Sequence, residues 1–416
     1  MSECQNRTPA ISFSAPDITE SEINAVADTL RSGWITTGAR VKEFEKKIAQ
    51  FYQTGFSETG TPRCVCLNSQ TACAEMSLRL LGIGEGDEVI VPAYTYTATA
   101  SVVCHVGATL VLVDTQPDSL EMDYDKVESL ITERTKAIIP VDIAGVVCDY
   151  DRIYSIVESK RSLFTPKNEI QRAIGRVAVV ADTAHAFGAK RNGVSAGAIA
   201  DFSNTSFHAV KNLTTAEGGA LSWRRIDGIS DDEIYRTLQL YSLHGQSKDA
   251  LAKKQIGSWE YDVFGTWYKC NMTDVHASIG LSQLARYPEM LARRRQIIEM
   301  YDSRLVPLGV KVLPHYTDFS TSSGHLYMTR IDKITEEERN EIIVKMAERG
   351  VPCNVHYKPL PMLTAYKNLG FDIKNFPNSH KNYSTEITLP LHSSLTDEQV
   401  EYIIDCYTDI LKDYLK

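Results

Sequence analysis

Three separated groups in this sequence could do carbonyl chemistry if the fold brought them together. Lys211 follows the run Ser-Phe-His-Ala-Val in "SFHAVKNLTTAEGGAL" and precedes small polar residues and a glycine pair. Ser206 to Val210 reads as a buried strand end, and lysines avoid such places. The side chain either snorkels outward or is kept near the core for its amine, which becomes a nucleophile toward carbonyls when its pKa is lowered. Asp182 lies 29 positions earlier, at the end of the apolar run in "VAVVAD". A carboxylate there is costly to leave unpaired and needs a cation or a strong donor; a structural salt bridge would also satisfy it. The third group opens "NSQTACAEM", where Ser69 reads as a helix N-cap. The N–H groups at Gln70 and Thr71 would face outward at the positive end of the helix dipole, as an anion site or as a plain helix start. A phosphate cradle, a buried acid and a strand-end lysine match the needs of pyridoxal 5'-phosphate: an anchor for its phosphate, a carboxylate for its ring nitrogen and an amine for its aldehyde. An aromatic stacked on the ring would complete the site, and "PAYTYTATA" offers Tyr94 and Tyr96.

Such groups work together only if several elements end along one edge. "CVCLN", "DEVIVPA", "TLVLVD", "TKAIIPVDIAG", "VAVVAD" and "DFSNTSFHA" read as strands. Between and before them, "ITESEINAVADTLRSG", "VKEFEKKIAQFYQ", "SQTACAEMSLRLLGIG", "YTATASVVCHVG" and "DYDKVESLI" read as helices. The strands are near-continuous apolar runs, as a sheet covered on both faces requires. The alternation implies an α/β fold with a mostly parallel sheet, and ligands bind beyond the carboxyl ends of such strands. The region of "ESKRSLFTPKNEIQRAIGRV" is long and polar for a crossover, and a surface insertion is expected over 155–175. Near residue 290 the pattern changes, with the basic helix "MLARRRQIIEMYDSRL" followed by mixed strands and helices. The expected division is a large domain over 1–290 and a smaller α/β domain over 291–416.

Composition excludes some classes. The chain has 416 residues, 43% hydrophobic and 23% charged, enough for a large core. A net charge of −9 and the lack of a basic arm argue against nucleic acid. No run of about 18 apolar residues suggests a membrane span, and "MSECQNRTPAISFS" lacks the regions of a signal peptide. Nine scattered cysteines fit reduced thiols and a cytoplasmic location. Cys64 and Cys66 read as small packing residues; no His or Cys cluster follows them, so no metal is expected.

Six segments, in order, resemble the DegT/StrS family of pyridoxal-phosphate-dependent sugar aminotransferases, of aspartate aminotransferase fold type I. They are "SGWITTGARVKEFE", "LNSQTACAEMSLRLLGIGEGDEVIVPAYTYTATA", "ADTAHAFGA", "SFHAVKNLTTAEGGAL", "KCNMTDVHASIGLSQL" and "NVHYKPL". The resemblance implies that Lys211 is the catalytic amine bonded to the cofactor, that Asp182 pairs with the ring nitrogen and that Tyr96 stacks on the ring. It implies phosphate contacts from Gln70, Thr71 and Ser206, and a homodimer in which Asn271 reaches the neighbour's phosphate. His185 stands where the family often has Gln beside the ring, and either a ring contact or a core histidine fits it. His208, three residues before Lys211, reads as packing or as near the cofactor. Trp34, Thr36, His356 and Lys358 fall where the family binds nucleotide sugar, and Lys269 and Lys358 are candidate anion partners. The implied reaction moves an amino group from glutamate to a nucleotide-linked keto-sugar. The Lys-x-Asn form at 269–271 is similar to the branch making UDP-4-amino-4-deoxy-arabinose and favours C4 of a UDP- or dTDP-sugar, for cell-surface polysaccharide or secondary-metabolite sugars. Alternatives are a related enzyme on another cyclic ketone, similar to aminohydroxybenzoate synthases, and a non-catalytic regulatory homologue.

Overall fold

Short apolar runs and capped helices set the order of elements in the computed structural model, which describes residues 11–247 and 260–415. Helix α1 (Glu20–Arg31) starts at a capping box between Thr19 and Glu22. Helix α2 (Ala39–Tyr52) has no cap of its own; Asp274 supplies one, its Oδ1 accepting from the N–H groups of Gly38 at 2.8 Å and Val41 at 3.0 Å. Helix α3 (Gln70–Leu80) is capped by Ser69, whose Oγ accepts from Ala72 N–H at 3.1 Å. Helix α4 (Thr97–His105) begins directly after Tyr96.

The strands are β1 (Cys64–Leu67), β2 (Glu88–Pro92), β3 (Thr109–Val113), β4 (Thr135–Ile138), β5 (Ala178–Asp182), the short hairpin β6 (Lys190–Arg191) and β7 (Val194–Ser195), β8 (Phe202–Ser206) and β9 (Gly219–Trp223). The main sheet runs β1-β9-β8-β5-β4-β2-β3. All its neighbours are parallel except those of β9, which is antiparallel to both β1 and β8. The connection from β8 to β9 contains no crossover helix, so the chain can only return antiparallel. Lys211 lies on that connection, five residues past the end of β8, rather than on the strand end read from sequence.

Side chains alternate across the strands. Val89, Val91 and Val180 enter one core with Leu78 and Val102, whereas Ile90, Ile138 and Val179 enter another with Val127 and Ile153. Both faces are thus covered, which is why the strands read as continuous apolar runs. The insertion at 155–175 does more than cover the surface. Its helix Glu169–Ile174 sends the Gln171 amide to Leu81 C=O at 2.7 Å, and the capping residue Asn168 sends its amide to Leu80 C=O at 3.1 Å. These bonds satisfy carbonyls left open at the carboxyl end of α3.

The long helix Asp274–Leu305 passes through residue 290 without a break. Its first part packs on α1 and α2. Its last turns carry Ile297, Tyr301 and Leu305 into a separate core with Tyr327, Ile387 and Ile403. That core lies on a second sheet of Lys311–Val312, Tyr327–Arg330 and Glu386–Leu389, all antiparallel. One helix therefore serves both cores. Among the described residues the cysteines are free and Cys64 and Cys66 are buried. No described helix is long and apolar enough to cross a membrane, and no described group of three or more His, Cys, Asp or Glu is placed to hold a metal.

Candidate active site

The carboxyl ends of β1, β2, β5 and β8 lead to one cavity. Its outer part, about 360 Å³, is bordered by Ser69, Gln70 and Thr71 from the start of α3, by Tyr96, by Ser206 and by Lys211. A narrower inner part, about 40 Å³, is bordered by Asp182, His185, Thr95, Tyr96, Lys211 and Tyr357. Gln70, Tyr96, Lys211 and Tyr357 border both parts.

The outer part suits a phosphate. The first N–H groups of a helix have no intrahelical acceptor and sit at the positive end of its dipole. The buried Nε2 of Gln70 has no hydrogen-bond partner within the chain, and a buried donor left this way marks where a ligand acceptor belongs. Gly219, at the head of β9, lets the strand press on this helix start: a Cβ there would come within 2.5 Å of the Ser69 carbonyl carbon and 2.6 Å of Gln70 N. Ser206 is buried at the end of β8.

The inner part suits a basic ring and an aldehyde. Asp182 is buried at the end of β5. Its Oδ2 accepts from Thr99 Oγ1 at 2.7 Å and its Oδ1 from Ala184 N–H at 3.1 Å. Thr99 is in turn 2.9 Å from the Thr95 hydroxyl, so the chain of donors runs Thr95, Thr99, Asp182. Burial raises the Asp182 pKa, against the Thr99 and Ala184 bonds and the nearby Lys211 charge. Burial pushes the Lys211 ammonium down to about 8, against the pull of Asp182. The two side chains thus face each other electrostatically across a cavity that both border.

His185 Nδ1 accepts from Ala144 N–H at 3.1 Å, and its Nε2 is 3.2 Å from the Tyr357 hydroxyl. Its ring lies 4.3 Å from that of His325. Burial, with Lys211 and His356 nearby, holds His185 far below the usual histidine range.

Other sequence candidates sit elsewhere in the single chain. Asn271 pairs with Leu67 in an isolated bridge, and its side chain bonds Lys269 and Thr37. Trp34 packs against Gly38, and Thr36 and Lys269 are exposed. His356 is turned to Thr388 at 2.9 Å, and Lys358 is exposed beside it. None of these six borders the cavity. Tyr96 does, with 59% of its surface open. His208 stands at the mouth, 3.6 Å from Glu217, rather than in the core. Sequence reading missed Thr99 and Tyr357. A signal for Thr99 was its place three residues after Tyr96 on a helix starting at the site; Tyr357 stood between His356 and Lys358, both of which drew notice.

The sequence pattern of the DegT/DnrJ/EryC1/StrS aminotransferase family matches residues 16–408. The spore coat polysaccharide biosynthesis protein SpsC of Bacillus subtilis is 34% identical over 98% of this chain and 99% of its own. Spr1654 of Streptococcus pneumoniae, assigned as a sugar aminotransferase, superposes in its PMP form with a TM-score of 0.93, 55% identity, and coverage of 97% of this chain and 99% of that one. Its PLP form gives a TM-score of 0.93 at 52% identity, covering 98% of this chain and 100% of that one.

Proposed function

The chain belongs to the DegT/DnrJ/EryC1/StrS aminotransferase family and is a pyridoxal 5'-phosphate-dependent transaminase; on that basis we propose that it moves an amino group from glutamate to the ketone of a nucleotide-linked sugar, at C4 of a UDP- or dTDP-sugar. The observation that carries the reading is that Lys211, Asp182 and the start of α3 border one cavity. Such an enzyme would serve the making of amino sugars for surface polysaccharide or secondary metabolites.

The residues present fit the cofactor. Gln70, Thr71 and Ser206 would hold its phosphate, the orphaned Gln70 amide finding its acceptor there. Asp182 would hold the ring nitrogen, Lys211 the aldehyde, and Tyr96 a ring face. Bound there, the cofactor supplies an electron sink for negative charge left when a proton departs the carbon beside the amine. The chain's own contribution is to place and protonate. Thr99 and Ala184 fix both oxygens of Asp182, so a protonated ring nitrogen meets a preset acceptor. Lys211 Nζ, with its pKa brought down to about 8, is partly free base near neutral pH and would take the proton from the donor's Cα. Tyr96 is exposed at the border of the outer part, so a large acceptor such as a nucleotide sugar would approach there and extend beyond the cavity.

A homodimer would complete the site. Asn271, Lys269, Trp34 and Thr36 lie off the cavity of their own chain, and the exposed apolar residues Ile35 and Tyr268 adjoin them in the sequence. A second copy covering that apolar surface would bury it and could bring those four residues to the neighbour's site.

A panel of UDP- and dTDP-linked 3-keto and 4-keto sugars, each with glutamate, tests the reading through release of 2-oxoglutarate. Release with 4-keto sugars is expected. Release with 3-keto sugars alone would move the reaction to C3, and release with an unlinked cyclic ketone alone would remove the nucleotide sugar.

A further inference from the structure

The hydrogen-bond directions around His185 settle where a neighbouring proton must point. Ala144 N–H can only donate, so His185 Nδ1 is the acceptor of that 3.1 Å bond and carries no hydrogen. The ring hydrogen of the neutral imidazole is therefore on Nε2, and it is donated to the Tyr357 oxygen 3.2 Å away. Tyr357 then accepts from His185 and has its own hydroxyl hydrogen left to give. Among the described residues no acceptor takes it, and the side chain borders both parts of the cavity.

The chemistry of the cofactor names the acceptor. On its ring the aldehyde carbon stands between the arm bearing the phosphate and the carbon bearing a phenolic oxygen. Ser69, Thr71 and Ser206 border only the outer part, and Asp182 and His185 only the inner part. With the phosphate outside and the aldehyde at Lys211, the phenolic oxygen falls on the His185 and Tyr357 side. We propose that Tyr357 donates its hydroxyl hydrogen to the phenolic oxygen of the cofactor, and that His185 is a positioning residue that turns the Tyr357 hydroxyl toward it. This rests on the cofactor reading given above.

The hydrogen bond favours the ionised oxygen, which otherwise shares a proton with the nitrogen of Lys211 once the aldehyde is joined to it. It therefore lowers the pH at which that nitrogen loses its proton. The test is a pH titration of the visible absorbance of the holoenzyme without substrate. Tyr357→Phe should raise the midpoint by about one pH unit or more. His185→Leu should raise it in the same direction, because the hydroxyl is no longer turned. His185→Gln, whose amide can donate in place of Nε2, should restore the wild-type midpoint. An unchanged midpoint in loaded Tyr357→Phe overturns the proposal, as does a His185→Leu shift with none in Tyr357→Phe. Should Tyr357→Phe not hold cofactor, the Leu and Gln variants of His185 decide by the same midpoint. Borohydride reduction of each sample checks loading. Wild-type protein with no chromophore fixed at Lys211 would defeat the cofactor reading itself, and this inference with it.

Discussion

The Thr99 hydroxyl donates to Asp182 across 2.7 Å, tying the first turn of α4 to the end of β5. The bond orients the acid that faces Lys211. Thr99→Val keeps the shape and removes the donor. A hydrogen bond to a charged group contributes about 1.5–3 kcal/mol, so kcat/KM should fall on the order of tenfold to a hundredfold and cofactor should dissociate more readily. Steady-state kinetics with equilibrium dialysis checks this; wild-type values for both would detach Thr99 from the site.

The Lys211 amine must be unprotonated to join an aldehyde. Burial lowers its pKa to about 8, so the free-base fraction rises with pH and levels off above that value. The rate at which apoprotein gains the bound-cofactor absorbance should follow, with a limb near 8 instead of the usual lysine value of about 10.4. The Asp182 charge opposes the lowering, so Asp182→Asn should move the limb to lower pH. Stopped-flow absorbance across pH reads both; a wild-type limb near that of an exposed lysine would count against the buried amine.

Gly219→Ala should loosen the cofactor. The added Cβ would meet backbone atoms of Ser69 and Gln70 at 2.5 and 2.6 Å. Backbone cannot give way as a flexible side chain does, so β9 and the start of α3 must separate. The dissociation constant for cofactor should rise by about tenfold or more if even one charge-assisted bond is lost. Titration of apoprotein measures it.

Gln171→Ala tests the insertion. It leaves the Leu81 carbonyl without the donor now 2.7 Å away. An unsatisfied buried group costs about 1–3 kcal/mol. The urea midpoint should fall accordingly, while kcat per folded molecule stays at the wild-type value because the substitution is at the far end of α3 from the site.

Much of this was legible from sequence because it is local. Ser69 as a cap, the apolar strands and a carboxylate closing β5 are dictated by neighbours along the chain. The antiparallel β9 was not read, because nothing in "TTAEGGAL" signals direction except the missing helix. The start of the long helix at Asp274 escaped notice because its first turns share small and polar residues with the loop before it. Within that helix Met290 and Leu291 still pack in the core of Phe44 and Tyr287, and Ile297 enters the second core. Tyr357 was hidden because its meaning comes from His185, 172 residues away, whose tautomer is fixed by a backbone N–H at Ala144. Such chains of donors belong to the tertiary structure.

The central claim is a covalent link between the Lys211 amine and the cofactor aldehyde, and borohydride tests it most directly. Purified protein loaded with pyridoxal 5'-phosphate is reduced, digested and mapped by mass spectrometry. The account predicts the reduced adduct on the peptide containing Lys211, and its absence from Lys211→Ala protein treated in parallel. An adduct on another lysine with Lys211 unmodified, or none at all from loaded protein, would contradict it.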